Sequence, residues 1–594
     1  MWYRNLLLAA FAACTTLPVD GATLWAGSSC SLTTIQAAVD AAEASGDADN
    51  TIYLIANQSY SERVQINNLT VTIQGGLADC GSLSVVTGAY STFEGDGGPD
   101  TSLLTITGDD FVVLQNVTLQ DAHAVSGIGA GGGINYVGSG TLQLRNVAVI
   151  LNTAIGGGGI NADGEGGDLY VFIDDGTEIL NNTATSASGG GVQLLGAAGL
   201  RMVEPNTWIA LNHAPNGYGG GLSIHSPASA YIGSPGFLGA PAIYSNNAAY
   251  GGGIAVTAIN DGDGIGTLNL FTTDPQHPIA VSDNIATIAG GGIYLDPRGN
   301  ELALLQAWNF VIDDNVAPEG SALHLDTHTD SFGIDVGARV ELNEGSPPSG
   351  SVPCAADVPC NEISRNIAQD SNGQPTLGST VLVNTSGRFD ANALALHGNV
   401  ANFLFHDIGD NDFDPVEPPG VFLHNCLTGG NNIARELIKM DGDDNRLVLD
   451  QCTLAPDIID SQYAIRFDNT DGNILTISDT IIDEPGTLSL YNPGIEAVFV
   501  DYVLTNDDST LPSQVDVVLG EPVYVDLANG DYHQSATSLG VDFAPAAGGT
   551  DLDGNPRDID LAAPNFFGPR DLGAYEAQQT CSHVDTIYCN GFED

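Results

Sequence analysis

Positive charge is nearly missing from this 594-residue chain: 14 Lys and Arg face 73 Asp and Glu, and Lys439 is the single lysine. The formal charge of -59 repels nucleic acid and anionic lipid, so neither is an expected partner. Long apolar runs are also missing. The longest near the start, residues 6–13, is too short to span a bilayer and follows Arg4, as in a cleaved signal peptide over residues 1–22. No transmembrane span is expected once it is removed. Helical spacing is scarce as well, whereas Gly numbers 74 and Asn and Asp abound, so turns and short strands should dominate.

Residues 11–14, Phe-Ala-Ala-Cys, offer a second reading of the leader as an imperfect lipoprotein box with a lipid anchor at Cys14. Either reading leaves eight cysteines: Cys30, Cys80, Cys354, Cys360, Cys426, Cys452, Cys581 and Cys589. An exported chain can oxidise these, and their grouping suggests Cys30–Cys80, Cys354–Cys360, Cys426–Cys452 and Cys581–Cys589. Sequence alone does not fix that connectivity. No C-x-x-C pair exists, which disfavours a cysteine zinc site.

What the chain does have is a repeat. An aliphatic residue, two variable residues, Asn, one residue and Ala recur around Asn152, Asn182, Asn212, Asn246, Asn284, Asn315, Asn366 and Asn399, with a variant at residues 117–122 that puts Gln120 in the Asn place. Five of these motifs are followed by a glycine triplet and an aliphatic residue, as at residues 157–160 and 251–254, and another triplet follows the variant at residues 131–134. Alternating runs such as residues 142–147 and 169–173 lie between, reading as strands with one buried face. Such a period predicts an all-β solenoid, a right-handed parallel β-helix over residues 23–490, with equivalent strands stacked and turns in rows. Asn tolerates left-handed backbone, and stacked Asn amides can bond between coils. The glycines allow positive φ and close coil approach. Ile35, Ala38, Val39 and Ala42 mark one face of a short capping helix that Thr33 would cap with Gln36.

Cys30 through Ala42, residues 51–55 and residues 71–76 resemble the opening of secreted pectin-lyase-like β-helix proteins. The repeats are similar to those of chlamydial polymorphic outer-membrane proteins, with aliphatic residues for Phe and Gly for Ala. Tyr524 to Asp526, Gly530 to Tyr532, Asp551 to Arg557 and Asp571 to Glu576 resemble the carboxy-terminal part of choice-of-anchor Q surface proteins. This sets an irregular region at 491–578, followed by a sorting-like tail at 579–594 whose Asn-Gly-Phe-Glu ending resembles exported gammaproteobacterial proteins. The resemblances imply export to the outside or outer-membrane surface of a Gram-negative bacterium.

Catalytic patterns are incomplete. Asn469, Thr470, Asp471 and Gly472 look like one polygalacturonase motif without its companions, and Arg145, Arg201, Arg298, Arg365 and Arg388 are available as lyase bases but form no constellation. The acidic loops carrying Asp261 and Asp263, and Asp410 and Asp412, supply oxygen donors of the kind calcium takes. His324, Asp326 and His328 alternate, which on a strand would put three zinc-type ligands on one face. The reading is a noncatalytic secreted or cell-surface β-helix with an adhesive, glycan- or protein-binding face. The alternative is a polysaccharide lyase or hydrolase acting on an acidic polysaccharide.

Overall fold

The computed structural model describes residues 21–577 apart from 96–100, 127–129, 175, 235–239, 259–263, 298–301, 330–334, 344–360, 410–417, 460, 469–471, 492–494, 512–515 and 562–565. The protein is all-β. Among the described residues the helical elements are Ile35–Ser45 and the 3-10 turn Leu527–Asn529. The named strands pair in parallel, except for the hairpins Thr327–Thr329 with Asp335–Gly337 and Tyr524–Asp526 with Asp531–Gln534.

One coil shows how the repeat folds. After the turn at Gly157 comes Ile160–Asp174, which bends at its central glycines, then Glu178–Leu180, a corner at Asn182, and the short strand Thr183–Ala184. Each segment lies in register on its equivalent one coil later: Ile160 on Val192, Val171 on Leu200, Ile179 on Ile209 and Thr183 on His213. The first three segments join one large sheet, and the short fourth segment builds a separate 11-stranded parallel sheet. Ile160, Val192, Leu222, Ile254, Ile293 and Leu323 therefore form one file, and all are fully buried. The file continues through Val381, Phe405, Ile438, Ile465 and Leu490. Removing this continuous apolar surface from water is the main stabilising term.

The glycine triplets act as expected. Gly157 has φ +58, and a Cβ on Gly158 would stand 2.4 Å from the Gly190 carbonyl oxygen of the next coil. The asparagines need a correction: the left-handed residue is the one before each Asn, including Leu151, Asn181, Leu211, Ser245, Asp283, Asp314 and Arg365. Asn is there for its amide alone. The variant motif also shifts, because Gln120 pairs with Ile150, and Ala122 stands at the Asn level with its N–H donating to Asn152 Oδ1.

The amino-terminal helix buries Ile35, Ala38, Val39 and Ala42 in the main core, as its spacing predicts. Its cap is Thr34 rather than Thr33: the Thr34 hydroxyl accepts from Ala37 N. The first turn is completed by Glu62, whose carboxylate accepts from Ile35 N and Gln36 N. Gln36 reaches outward instead, to Asp40 and the Gln65 carbonyl. Disulfides join Cys30 to Cys80 and Cys426 to Cys452. Cys14, Cys354, Cys360, Cys581 and Cys589, with residues 1–20 of the leader and the tail, lie outside the described residues.

The parallel ladder runs beyond residue 490. Ala497–Thr505 pairs with Ile474–Ile482, and Val517–Leu519 pairs with Ala497–Thr505. These strands keep buried Val500, Val503 and Leu504 but carry neither Asn nor glycine signal. The remainder folds back on the last coils. Arg570 bonds Asp479, Asp558 and the Gly548 carbonyl, while Arg557 bonds Asn425 and the Gly573 and Ala574 carbonyls. Phe543, Ala544 and Leu572 pack on Ile481 and Leu504. The two carboxy-terminal motifs, 551–557 and 571–576, thus supply part of the docking, through Arg557 to Asn425, Leu572 on Ile481 and Leu504, and Ala574 N to the Thr453 hydroxyl, beside Arg570, Phe543 and Ala544.

Candidate functional site

All eight repeat asparagines come together in one buried file. Asn182 is typical: its Oδ1 accepts from Asn152 N at 3.0 Å and Asn152 Nδ2 at 3.1 Å, while its Nδ2 donates to Asn212 Oδ1 and the Val149 carbonyl. Every side-chain hydrogen-bonding position is thereby used. The file is longer than the motif predicts, passing from Asn399 to Asn431 and ending on Asp457. Asn431 escapes the motif because Thr428 and Ile433 replace the aliphatic residue and the Ala. Its 32-residue spacing from Asn399 is the signal that could have found it. These residues are architecture.

Asp261, Asp263, Asp410 and Asp412, together with Asp471 and Arg298, lie outside the described residues. Among the described residues no group of three His, Cys, Asp or Glu side chains converges as a metal site. The His324, Asp326 and His328 set is dispersed because the strand ends at Leu325: His324 is buried against Tyr294, whereas exposed His328 sits on the separate hairpin. Burial lowers the His324 imidazole to about 4. Three of the arginines are tied to carboxylates, Arg145 to Asp174, Arg365 to Asp313 and Asp314, and Arg388 to Asp390.

What no linear motif reveals is an outward-turned row beside the apolar file, in which Tyr294, His324 and Leu382 are nonetheless buried while His406, Lys439, Arg466 and Tyr491 are partly exposed. Tyr294, His324, Leu382, His406, Lys439, Arg466 and Tyr491 occupy successive register positions, a line of about 29 Å at the usual strand spacing of about 4.8 Å. Their intervals are too uneven to be read as a repeat.

The row is internally paired. His406 Nε2 and Lys439 Nζ each lie 2.9 Å from Asp441, and Lys439 also reaches Asp468 at 3.1 Å. Arg466 binds Asp468 at 2.5 Å and buried Glu436 at 3.4 Å. Burial alone would raise the Asp441 carboxyl, but its bonds to His406 and Lys439 prevail and hold it at about 2. Rings frame the charges: Phe403 lies 4.5 Å from His406 and 5.5 Å from the Lys439 ammonium, and Tyr491 lies 4.9 Å from the Arg466 guanidinium. At the other end Tyr294 stacks near Tyr250 and Tyr218, and its hydroxyl bonds Asp326, which also accepts from Asn384.

A cleft of about 260 Å³ opens on another face, walled by Tyr170, Phe172, Arg201 and Tyr231, with Gly199, Ser229 and Asn269 completing its lining. Phe172, Arg201, Tyr231 and Asn269 are register partners on four successive coils. No protein-family model and no curated protein matches this sequence. No helix among the described residues is long and apolar enough to cross a membrane.

Proposed function

We propose that this is an exported, noncatalytic protein of a Gram-negative cell surface whose outward row binds an extended glycan. The observation behind the reading is the partly exposed stretch of the row: charged groups and rings, already held by one another, stand on four successive coils from His406 to Tyr491. Sugar hydroxyls bind to such fixed donors and acceptors while ring faces cover their C–H surface, and little side-chain entropy remains to be lost. A linear ligand along the stack meets a new coil every ~4.8 Å. The two disulfides suit an oxidising, extracytoplasmic setting.

A second reading, a polysaccharide lyase or hydrolase, is favoured by one cluster, His406 with Asp441 and Lys439, where proton-carrying groups share one acid. Incubating the purified chain with neutral and acidic polysaccharides, with calcium and with chelator, separates the two. Retention of a polymer without new reducing ends or unsaturated products is expected, with Lys439→Met weakening retention about tenfold. Product formation would replace binding by catalysis.

A further inference from the structure

We infer that the cleft at Tyr170, Arg201 and Tyr231 is a second ligand site, for a sugar ring bearing an exocyclic oxyanion, a carboxylate or a sulfate ester. The inference extends glycan binding to another face and rests on that reading for the sugar ring. Its own support is the state of the polar groups. In a chain of net charge -59, a surface arginine would be expected to find a carboxylate, as Arg145, Arg365 and Arg388 do.

Arg201 has none among the described residues. It is exposed, and its guanidinium lies 5.9 Å from the Tyr231 ring centroid, with Phe172 its register partner on the other side. The Asn269 amide and the Ser229 hydroxyl, also on the lining, likewise make no side-chain hydrogen bond among the described residues. Three polar groups thus line one small space without a hydrogen-bond or ion-pair partner for their side chains among the described residues. A guanidinium fork suits the two oxygens of a carboxylate or sulfate, and anion binding there is a local exception to the repulsion exerted by the rest of the surface.

The shape selects a ring. Tyr170 is 47% exposed and stands beside Gly199, where a Cβ would lie 3.3 Å from Tyr170 Cδ1. The missing side chain leaves a notch against the tyrosine. A volume of about 260 Å³, near the ~300 Å³ lower end of drug-sized pockets, suits a single sugar ring.

Calorimetry on the full chain tests this with trigalacturonate, a chondroitin 4-sulfate tetrasaccharide and neutral cellotetraose. One or both charged probes should bind at least about tenfold more tightly than the neutral one, which also tells carboxylate from sulfate. Arg201→Gln should remove that advantage, leaving cellotetraose binding unchanged, and Gly199→Leu should block the notch for charged probes. Equal binding of charged and neutral probes, or charged binding untouched by Arg201→Gln, overturns the inference. If Lys439→Met but not Arg201→Gln abolishes charged binding, the cleft inference fails and the outward row stands. If no glycan of any kind binds, both fail.

Discussion

Along the asparagine file from Asn152 to Asn431 polarity is neutral and repeated, one file amide per coil, whereas between Asp542 and Glu576 the buried polar groups are ionisable and used once. In the first region each Asn serves two coils and leaves no charge to desolvate. In the second, Arg557, Arg570, Asp542, Asp551, Asp571 and Glu576 are all nearly inaccessible. Neutral amides make a stack that can be extended by copying, while buried charges make a single specific join. That contrast can be broken from either side.

The largest effect should come from Arg570→Met, which strands the Asp479 and Asp558 carboxylates. A loss of about 4 kcal/mol is expected, with limited proteolysis releasing the segment after residue 520 while the coils resist. Asn246→Ala should cost about 3 kcal/mol, because Asn212 N and Asn212 Nδ2 lose their acceptor and the Ile209 carbonyl and Asn284 Oδ1 lose a donor. Hydrogen exchange should quicken in the coils on both sides of Asn246 and not in the cover. Uniform loosening of the whole chain by either variant would erase the distinction.

Acidity should divide the same regions. Burial, then the Glu576 charge, raises Asp571 to about 8, and burial raises Glu576 to about 7. Folding therefore holds protons that the unfolded chain releases near pH 4, so their contribution is complete below that pH and disappears as pH rises through 7 to 8. Asp441, held at about 2, has the opposite sign: its contribution is present above pH 4 and disappears as pH falls through 2. Exchange protection corrected for intrinsic rate should fall in the cover between pH 5 and 9, and the Asp441 contacts with His406 and Lys439 should add a separate loss in strong acid. The smallest effect is at the amino terminus, where Thr34→Ala removes one capping bond and should cost about 1 kcal/mol, seen as faster exchange in Ile35–Ser45 alone.

How much could be read from sequence follows the same line. A residue whose partner is its own equivalent, such as Asn182 with Asn212, leaves a period, and so the file and the glycine turns were visible. His406, Lys439 and Arg466 are equally well stacked, but each has a different chemistry and its interval is set by loop length. Nothing in one dimension links them. The Asp551 and Asp571 motifs were visible as patterns, yet their docking role depends on Asn425, Thr453 and Asp479, more than ninety residues earlier, which no local spacing encodes. His324, Asp326 and His328 failed because alternation carries ligands to one face only while the strand lasts.

The amide file also has a sense of direction. Each Asn presents two N–H groups, its backbone and its Nδ2, to the coil that follows, so an unfinished stack ends in a waiting pair of donors. A coil arriving with an oxygen at that point is accepted and, if the oxygen belongs to Asn, renews the pair. Asp457 accepts from Asn431, but a carboxyl group carries no N–H and only the Asp457 backbone N–H passes on, to Glu484, so the paired donors of the file that begins at Ala122 are read toward the carboxy terminus and give out at this point.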